Sequence, residues 1–291
     1  MTSRIWIGGG NNNANNANDW SPGGVPQAGD VLAMQTGVMN IRDDNLAGNT
    51  LIIGGSASTT LNLSHHARAS VEIAQGSTDQ VAVNVEGSDT LNVHTDFPSG
   101  GNFTIDLADH ASLTGNFDMV FSSAVINGGN DSRFTGGGQL EGSHVTIDAR
   151  VKGSGSFVVE SAQSINGRLE FGRSVSRGET VAVSGDPFRG IVSQVQIDQP
   201  GAFKGSVALG IFGEVDLMGL FNASSYAIKN DILSIFSGHE VIDRLRLTTP
   251  PASVPPTFEV TVAQTSAGIV IDRGRIPSGG TVLPVHSFGH D

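Results

Sequence analysis

The chain contains no cysteine, and this absence restricts its chemistry more firmly than any other feature of its composition. Without cysteine there is no disulfide scaffold, no iron–sulfur ligation and no cysteine-based zinc site. Charged residues are also scarce, at 15% of 291 residues, and lysine occurs only at Lys152, Lys204 and Lys229. The fold must therefore be held together by the packing and stacking of the chain itself.

Long apolar runs and an excess of positive charge are missing as well. No apolar run approaches the ~20 residues that a membrane-spanning helix needs. Residues 1–7 lack the basic and apolar regions of a signal peptide. Because 16 basic residues face 28 acidic ones, the net charge is −12, which argues against nucleic acid as the main partner. We expect no transmembrane segment and no nucleic-acid-binding function.

Glycine and asparagine, in contrast, are abundant. The 39 glycines show no G-X-Y period, so a collagen-like structure is excluded. Asparagine is concentrated in residues 1–130, with 16 there and 3 afterwards. The first 130 residues also carry 3 basic and 12 acidic residues, a net of −9, whereas the remainder carries 13 and 16, a net of −3. This change of character predicts a boundary near residues 130–165.

Short segments of alternating apolar and polar residues recur along the chain. They begin near residues 61, 71, 81, 91 and 103, and continue near 117, 145, 157, 169, 181 and 195. Apolar residues at i, i+2 and i+4 place one face of a strand inward. Gly, Ser, Asp and Asn separate the segments at a spacing of about ten residues, as turn residues do. The pattern predicts an all-β protein with a parallel β-solenoid over residues 31–210, with a β-sandwich as the alternative.

The two ends of the chain differ from this repeat. Residues 1–30 contain both tryptophans, Trp6 and Trp20, whose large rings are suited to covering the first coil of a solenoid. The alternative role for these rings is a platform that stacks on sugars, which would require them to be exposed. Residues 211–291 contain longer strand patterns and predict a hairpin-rich C-terminal region. Four prolines within residues 248–256 exclude a central strand there.

Phrases near both ends carry a resemblance to a known class of protein. They are residues 6–10 (WIGGG), 17–26 (ANDWSPGGVP), 215–220 (VDLMGL), 233–236 (LSIF) and 241–245 (VIDRL). They resemble β-strand-repeat and autotransporter-passenger-like domains that bacteria secrete. The resemblance implies a right-handed parallel β-helix, export to the cell surface, and an adhesive or structural role with cell-surface glycans or further copies as partners. It names no catalytic residues.

Acidic and basic side chains provide an alternative reading as a polysaccharide-active enzyme. Glycoside hydrolases use clustered carboxylates, and the best local cluster is Asp96, Asp106, Asp109 and Asp118, with His110 beside it. Some β-helix lyases instead use an arginine base beside acidic metal ligands. Asp148, Arg150 and Lys152 match that pattern, and on one strand they would share a face at i, i+2 and i+4.

No motif predicts a cofactor. The EF-hand and calcium-binding nonapeptide patterns are missing, and residues 128–131 (GGND) are only a fragment of the latter, so calcium remains an alternative without a defined site. His65 and His66 would face opposite sides of a strand, and His286 and His290 need not share a face. We expect a secreted structural or adhesive β-solenoid that presents an extended surface and is able to assemble end to end. A lyase or glycoside hydrolase is the alternative.

Overall fold

The computed structural model describes residues 2–43, 46, 48–54, 57–74, 80–129, 131–248, 259–274 and 280–286, with the side chains of residues 96–99 outside the description. Strand structure dominates these residues, and their parallel strands stack into a β-solenoid of about eight turns. The predicted all-β solenoid is confirmed, and the β-sandwich alternative is not the fold adopted. In this described part, no helix is long and apolar enough to cross a membrane.

Most of the described residues lie in 27 strands, and two short 3-10 helices occupy Ala17–Asp19 and Pro200–Ala202. In chain order, the strands are β1 (Ser3–Trp6), β2 (Trp20–Ser21), β3 (Val31–Met34), β4 (Gly37–Arg42), β5 (Thr50–Ile53), β6 (Thr59–Ser64), β7 (Arg68–Ile73), β8 (Gln80–Val85), β9 (Thr90–Ser99), β10 (Asn102–Leu107), β11 (Ser112–Val120), β12 (Ser123–Gly128), β13 (Arg133–Glu141), β14 (His144–Asp148), β15 (Arg150–Val151), β16 (Ser156–Glu160), β17 (Arg168–Phe171), β18 (Thr180–Ser184), β19 (Ser193–Ile197), β20 (Ser206–Leu209), β21 (Gly213–Met218), β22 (Ser225–Lys229), β23 (Ile232–Ser237), β24 (Glu240–Thr248), β25 (Val260–Gln264), β26 (Gly268–Arg273) and β27 (Thr281–Val282).

From β3 to β14 and from β16 to β21, successive strands alternate between two sheets that enclose the core, and the short β15 pairs with β13 in the first sheet. The first sheet has the order β2-β1-β3-β5-β7-β9-β11-β13-β16-β18-β20-β24-β23-β22, and the second has the order β4-β6-β8-β10-β12-β14-β17-β19-β21-β26-β25-β27. Each coil therefore adds one strand to each sheet. Asn62 pairs in register with Asn40 and with Asn84, each 22 residues away, whereas Asn127 pairs with Asp106 at a separation of 21. A coil thus takes about two of the ten-residue sequence segments.

The interior is filled by the apolar residue of each alternating pair. In β6, for example, Leu61 and Leu63 are fully buried while Asn62 between them faces outward. A row of phenylalanine rings runs through the core, each in tilted or edge-to-face contact with the next and with centroids 5.8–6.0 Å apart, at positions Phe117, Phe134, Phe157, Phe171 and Phe203. Continuous apolar stacking gives each coil a partner on both sides, so the stack needs a cover only at its ends.

The N-terminal end is covered by the segment before β3. Trp6 and Trp20 pack edge to face with ring centroids 5.2 Å apart, and the Trp20 Nε1 donates to the Ala14 carbonyl at 2.9 Å. The backbone of Ala14 in turn donates to the Asn40 carbonyl on the edge strand β4 at 2.9 Å. Only 3% of Trp6 and 1% of Trp20 is exposed, so neither ring offers an open face for stacking on a sugar.

Antiparallel hairpins finish the C-terminal end. β22, β23 and β24 form a meander whose last strand runs parallel to β20, and β26 pairs antiparallel with β21. The outer strand β22 is covered by residues 284–286, since the Tyr226 N–H donates to the Pro284 carbonyl at 3.1 Å and the His286 N–H donates to the Tyr226 carbonyl at 2.6 Å. The predicted hairpin-rich C-terminal region is therefore present. The proline-rich residues 249–256 lie outside the described residues.

Candidate functional site

The turns that lead from the second sheet to the first stack along one edge of the solenoid. From residue 149 onward these turns are longer and include a third stacked position, where Val151 pairs with Val175 and Val175 with Phe203. These three side chains are buried, with 2%, 1% and 3% exposed. Because side chains alternate in extended backbone, the residues on either side of them project outward. We call this surface of residues 148–152, 173–177 and 202–205 the basic edge.

The first cleft of the basic edge has a volume of about 710 Å³ and is lined by Asp148, Arg150, Lys152, Arg173, Ser174 and Gln199. Arg173 holds the cleft wall in place, since its Nε donates to Asp148 Oδ1 at 3.1 Å and its Nη1 to the Gly129 carbonyl at 3.0 Å. Arg150 Nη1 lies 3.3 Å from Asp131 Oδ1. The cleft thus presents three cations, one carboxylate, a hydroxyl and an amide around an open volume.

The structure brings Asp148, Arg150 and Lys152 together, as the sequence predicted, but not on the single strand that the prediction assumed. The three side chains do line one cleft. They do not share a strand, because β14 ends at Asp148 and the two-residue strand β15 begins at Arg150 on the other sheet. The buried Ala149 marks the bend between the sheets. The convergence arises from a turn, and Arg173 and Gln199 join it from the next coils.

The other predicted carboxylate cluster is divided between the two sheets and a turn, although Asp96 and Asp118 pair in register on β9 and β11. Asp106 faces outward from the second sheet, where it accepts a 2.6 Å hydrogen bond from Asn127, whereas Asp118 faces outward from the first sheet and accepts from the Gln139 N–H at 2.9 Å. Asp109 and His110 lie in the exposed turn between these strands. Asp96 lies in β9, but its side chain is outside the described residues. Asp106 and Asp118 therefore cannot act as a pair on one bound substrate.

A ladder of amide and acid side chains on the second sheet was not predicted. Asn62 Nδ2 donates to Asn40 Oδ1 at 2.9 Å, and Asn84 Nδ2 donates to Asn62 Oδ1 at 2.7 Å. The register continues the column, which consists of Asn40, Asn62, Asn84, Asp106, Asn127 and Asp148. The sequence signal that could have revealed it is the recurrence of Asn or Asp at 22- and 21-residue intervals between apolar neighbours. The ladder ends at Asp148, the carboxylate of the first cleft.

A separate cavity of about 480 Å³ lies on the same edge in the acidic half of the chain. Its lining includes His65, His66, Glu86, Asp89 and Asp109. The two histidines lie in a turn after β6 with positive φ of 63° and 67°, rather than on a strand as the sequence reading assumed. Burial raises the pKa of Asp89, which is 1% exposed. In the described part of the chain, no three His, Asp or Glu side chains are grouped so that they could hold a metal ion.

Of the remaining histidine pair, His286 and His290, only His286 belongs to the described part of the chain. His290 lies outside the described residues, while His286 Nδ1 is 2.9 Å from Ser225 Oγ and its ring stacks on Phe236 with centroids 4.1 Å apart.

Comparisons with family models, with curated proteins and with solved structures find no match to this chain. The first cleft is consequently the candidate site, chosen for its volume and its polar lining.

Proposed function

We propose that this chain is an adhesive β-solenoid that binds a cell-surface glycan in the first cleft of the basic edge. The observation that carries the proposal is the lining of that cleft, where every one of the six side chains is polar and the volume is about 710 Å³. Carbohydrates are rich in hydroxyl groups, which both donate and accept hydrogen bonds. The guanidinium and ammonium groups of the cleft donate hydrogen bonds, the carboxylate accepts them, and the hydroxyl and amide groups do both, so the cleft can satisfy sugar hydroxyls as donors and as acceptors.

The scaffold supports a binding role. Parallel strands in register hold equivalent side chains ~4.8 Å apart from coil to coil, so the edge is an ordered array that extends along the solenoid. Such stacked repeats provide the extended surfaces that repeat proteins use for binding. An elongated polymer that lies along the axis can contact several coils at once.

The ends of the solenoid favour binding at its side over growth at its ends. The segment at Ala14 pairs with β4 at one end, and residues 284–286 pair with β22 at the other. A second copy would have to displace these segments before it could add a strand to β4 or β22. End-to-end assembly is therefore not included in the proposal.

Export to the cell surface is part of the proposal and is supported by the resemblance of the terminal phrases to secreted β-strand-repeat domains. The lack of cysteine is compatible with passage through an oxidising compartment. Fractionation of the producing cell tests this part, with the protein expected in the surface or medium fraction. Exclusive recovery from the cytoplasm would contradict it.

A glycan array probed with the full chain tests the binding role. We expect selective retention, and a loss of about tenfold in affinity when Arg150 and Lys152 are both replaced by alanine, since two charged contacts are removed. Arg189→Ala is the matched control, because Arg189 is exposed and lies in a turn on the opposite edge, paired with Asp186 at 3.6 Å. Absence of any glycan binding, or equal loss in the control, would refute the proposal.

Lyase activity is the second candidate, and the convergence of Asp148, Arg150 and Lys152 in one cleft favours it. A hydrolase is less well supported, because its mechanism needs two facing carboxylates and Asp148 is the one carboxylate in the lining of this cleft. Incubation with a polysaccharide panel, followed by an assay for unsaturated and reducing ends, separates the candidates. Turnover that disappears in Arg150→Ala would establish the lyase and replace the binding role.

A further inference from the structure

A second cleft of about 520 Å³ lies further along the basic edge. It is lined by Arg177, Phe203, Lys204, Gly205, Ile232, Arg244 and Arg246. All four cations are exposed, and the lining contains no acidic side chain. Among the described residues, no ion pair involves any of these four cations. The positive charge of this cleft is therefore available to a ligand.

The topology, rather than the local sequence, brings these cations together. Arg177 and Lys204 come from the turns of successive coils, whereas Arg244 and Arg246 come from β24 of the C-terminal meander. β24 runs parallel to β20, with Arg246 opposite Ser206. Leu245 and Leu247 face the core, so Arg244 and Arg246, which alternate with them along β24, face solvent. Asp243 precedes Arg244. Burial raises the pKa of Asp243 above its usual value, although the Arg244 N–H and the charge of Lys204 act in the opposite direction.

The two clefts belong to one continuous surface. Lys152, Ser176 and Lys204 each follow one of the paired residues Val151, Val175 and Phe203, so they occupy equivalent positions on three successive coils. At ~4.8 Å per coil, the backbones of Lys152 and Lys204 are about 10 Å apart. Ser176 lies between them and carries no charge. A single extended ligand can therefore contact both clefts.

Most of the positive charge in residues 131–291 is placed on this surface. Seven of the 13 basic residues in that region line the two clefts, although the chain as a whole has a net charge of −12. They are Arg150, Lys152, Arg173, Arg177, Lys204, Arg244 and Arg246. A concentration of one sign of charge in adjacent clefts attracts ligands of the opposite charge.

We propose that the second cleft binds the anionic groups of an acidic polysaccharide whose chain runs along the basic edge and over both clefts. This inference rests on the proposed function and names the chemical class of its glycan. Carboxylate or sulfate groups pair with the exposed Arg177, Lys204, Arg244 and Arg246. The hydroxyl groups of the same chain meet Ser174 and Gln199 in the first cleft.

An acidic polysaccharide fits this surface better than a nucleic acid does. Base recognition on single strands uses exposed aromatic rings, and the one aromatic residue in the two linings, Phe203, is 3% exposed. A polysaccharide also carries hydroxyl groups along its whole length, and the polar side chains of the first cleft can bind them.

The test compares binding of the full chain to polygalacturonate, dextran sulfate, neutral dextran and single-stranded DNA. We expect the two acidic polysaccharides to bind, and an affinity loss of about tenfold or more in the double variant Arg244→Gln/Arg246→Gln, which removes two charge-assisted contacts. The relative affinities for polygalacturonate and dextran sulfate show whether the cleft prefers carboxylate or sulfate groups. Arg189→Gln, on the opposite edge, is the control and should bind as wild type. Lys204→Gln, outside the meander, provides a second variant if the double variant fails to fold.

The outcomes separate this inference from the proposed function. Binding of neutral glycans alone, with acidic polymers bound no more tightly, would leave the proposed function standing and overturn the inference. Unchanged affinity in both Arg244→Gln/Arg246→Gln and Lys204→Gln, or tighter binding of DNA than of either acidic polysaccharide, would also overturn it. Absence of binding to every glycan would refute both.

Discussion

Asp89 and Glu179 are carboxylates placed in the buried column of the turns. In the stack of turns, Asp89 occupies the position between those of Ala67 and Ala111 on the neighbouring coils. The Thr90 N–H donates to the Ala67 carbonyl, and the Ser112 N–H donates to the Asp89 carbonyl. The side chains of Asp89 and Glu179 are 1% and 0% exposed, and burial raises the pKa of both. For Asp89, the N–H groups of His66 and Ala67 act in the opposite direction. Protonation of each group is therefore more favourable in the folded protein than in the unfolded chain.

Replacement of Asp89 by asparagine tests this consequence. Because the folded pKa is raised above the unfolded value of ~3.9, the stabilisation from protonated Asp89 is complete below that value and is lost as the pH rises through the folded pKa. At pH 7, Asp89→Asn should therefore increase the free energy of unfolding by about 1 kcal/mol and raise the thermal midpoint. This gain should shrink on acidification. Asp109→Asn, an exposed carboxylate in the next turn, is the control. A variant that is less stable than wild type at pH 7 and unchanged at low pH would contradict the assignment.

Gly136 is a second residue whose identity is set by its neighbours. Its φ is +151°, and a Cβ added there would lie 1.8 Å from the Gly115 carbonyl oxygen on the adjacent coil. Gly136→Ala should destabilise the protein by about 3 kcal/mol, because backbone atoms must move apart. Gly201→Ala is the matched control, since nothing lies within 4 Å of its added Cβ. Chemical denaturation measures both, and equal stability of the two variants would contradict the close coil packing at Gly136.

At the scale of the strand, the asparagine ladder links neighbouring coils on the outer face of the second sheet. Asn62 both donates to Asn40 and accepts from Asn84. Asn62→Asp removes the donor and adds a charge, so we expect a loss of about 1 kcal/mol at neutral pH that is partly recovered when the acid is protonated. Asn92→Asp, an exposed change on the first sheet, should have little effect. Thermal unfolding at pH 7 and pH 4 measures the difference, and equal responses would argue against a stabilising ladder.

The strands could be predicted from the sequence because their signal is local. The alternation in Leu61-Asn62-Leu63 identifies a strand and its buried face without knowledge of any partner. The pairing of Asn62 with Asn40 and Asn84 depends on turn lengths, and its one signal in the sequence is the recurrence of Asn or Asp at 22- and 21-residue intervals. The same limit explains the misplaced Asp148, Arg150 and Lys152, since a bend at Ala149 leaves no local pattern that differs from a continuous strand.

At the scale of the whole molecule, the positive charge could be counted but not located. Arg177, Lys204 and Arg244 are far apart in the chain and meet only because coils stack and β24 returns beside β20. The sequence revealed the difference in net charge between residues 1–130 and the remainder, but it could not show that seven cations occupy one edge. The second cleft was consequently not anticipated, whereas the first was approached through Asp148, Arg150 and Lys152.

A strip of exposed cations should make binding sensitive to salt. Counter-ions screen exposed charges over a Debye length of ≈ 10 Å at 0.1 M ionic strength and ≈ 3 Å at 1 M. The affinity for polygalacturonate should therefore fall steadily as sodium chloride is raised, and the fall should be shallower in Arg244→Gln/Arg246→Gln. Titration calorimetry at several salt concentrations measures these slopes. An affinity that is independent of salt would show that the cations do not contact the ligand.

The most direct measurement of glycan binding along the basic edge is amide hydrogen exchange with and without a saturating acidic oligosaccharide. We expect slower exchange at residues 150–152, 174–177, 202–205 and 244–246, with the asparagine ladder and the opposite edge around Arg189 unchanged. Slower exchange that is confined to the ladder or to the opposite edge, with no change along residues 150–205, would contradict binding along the basic edge.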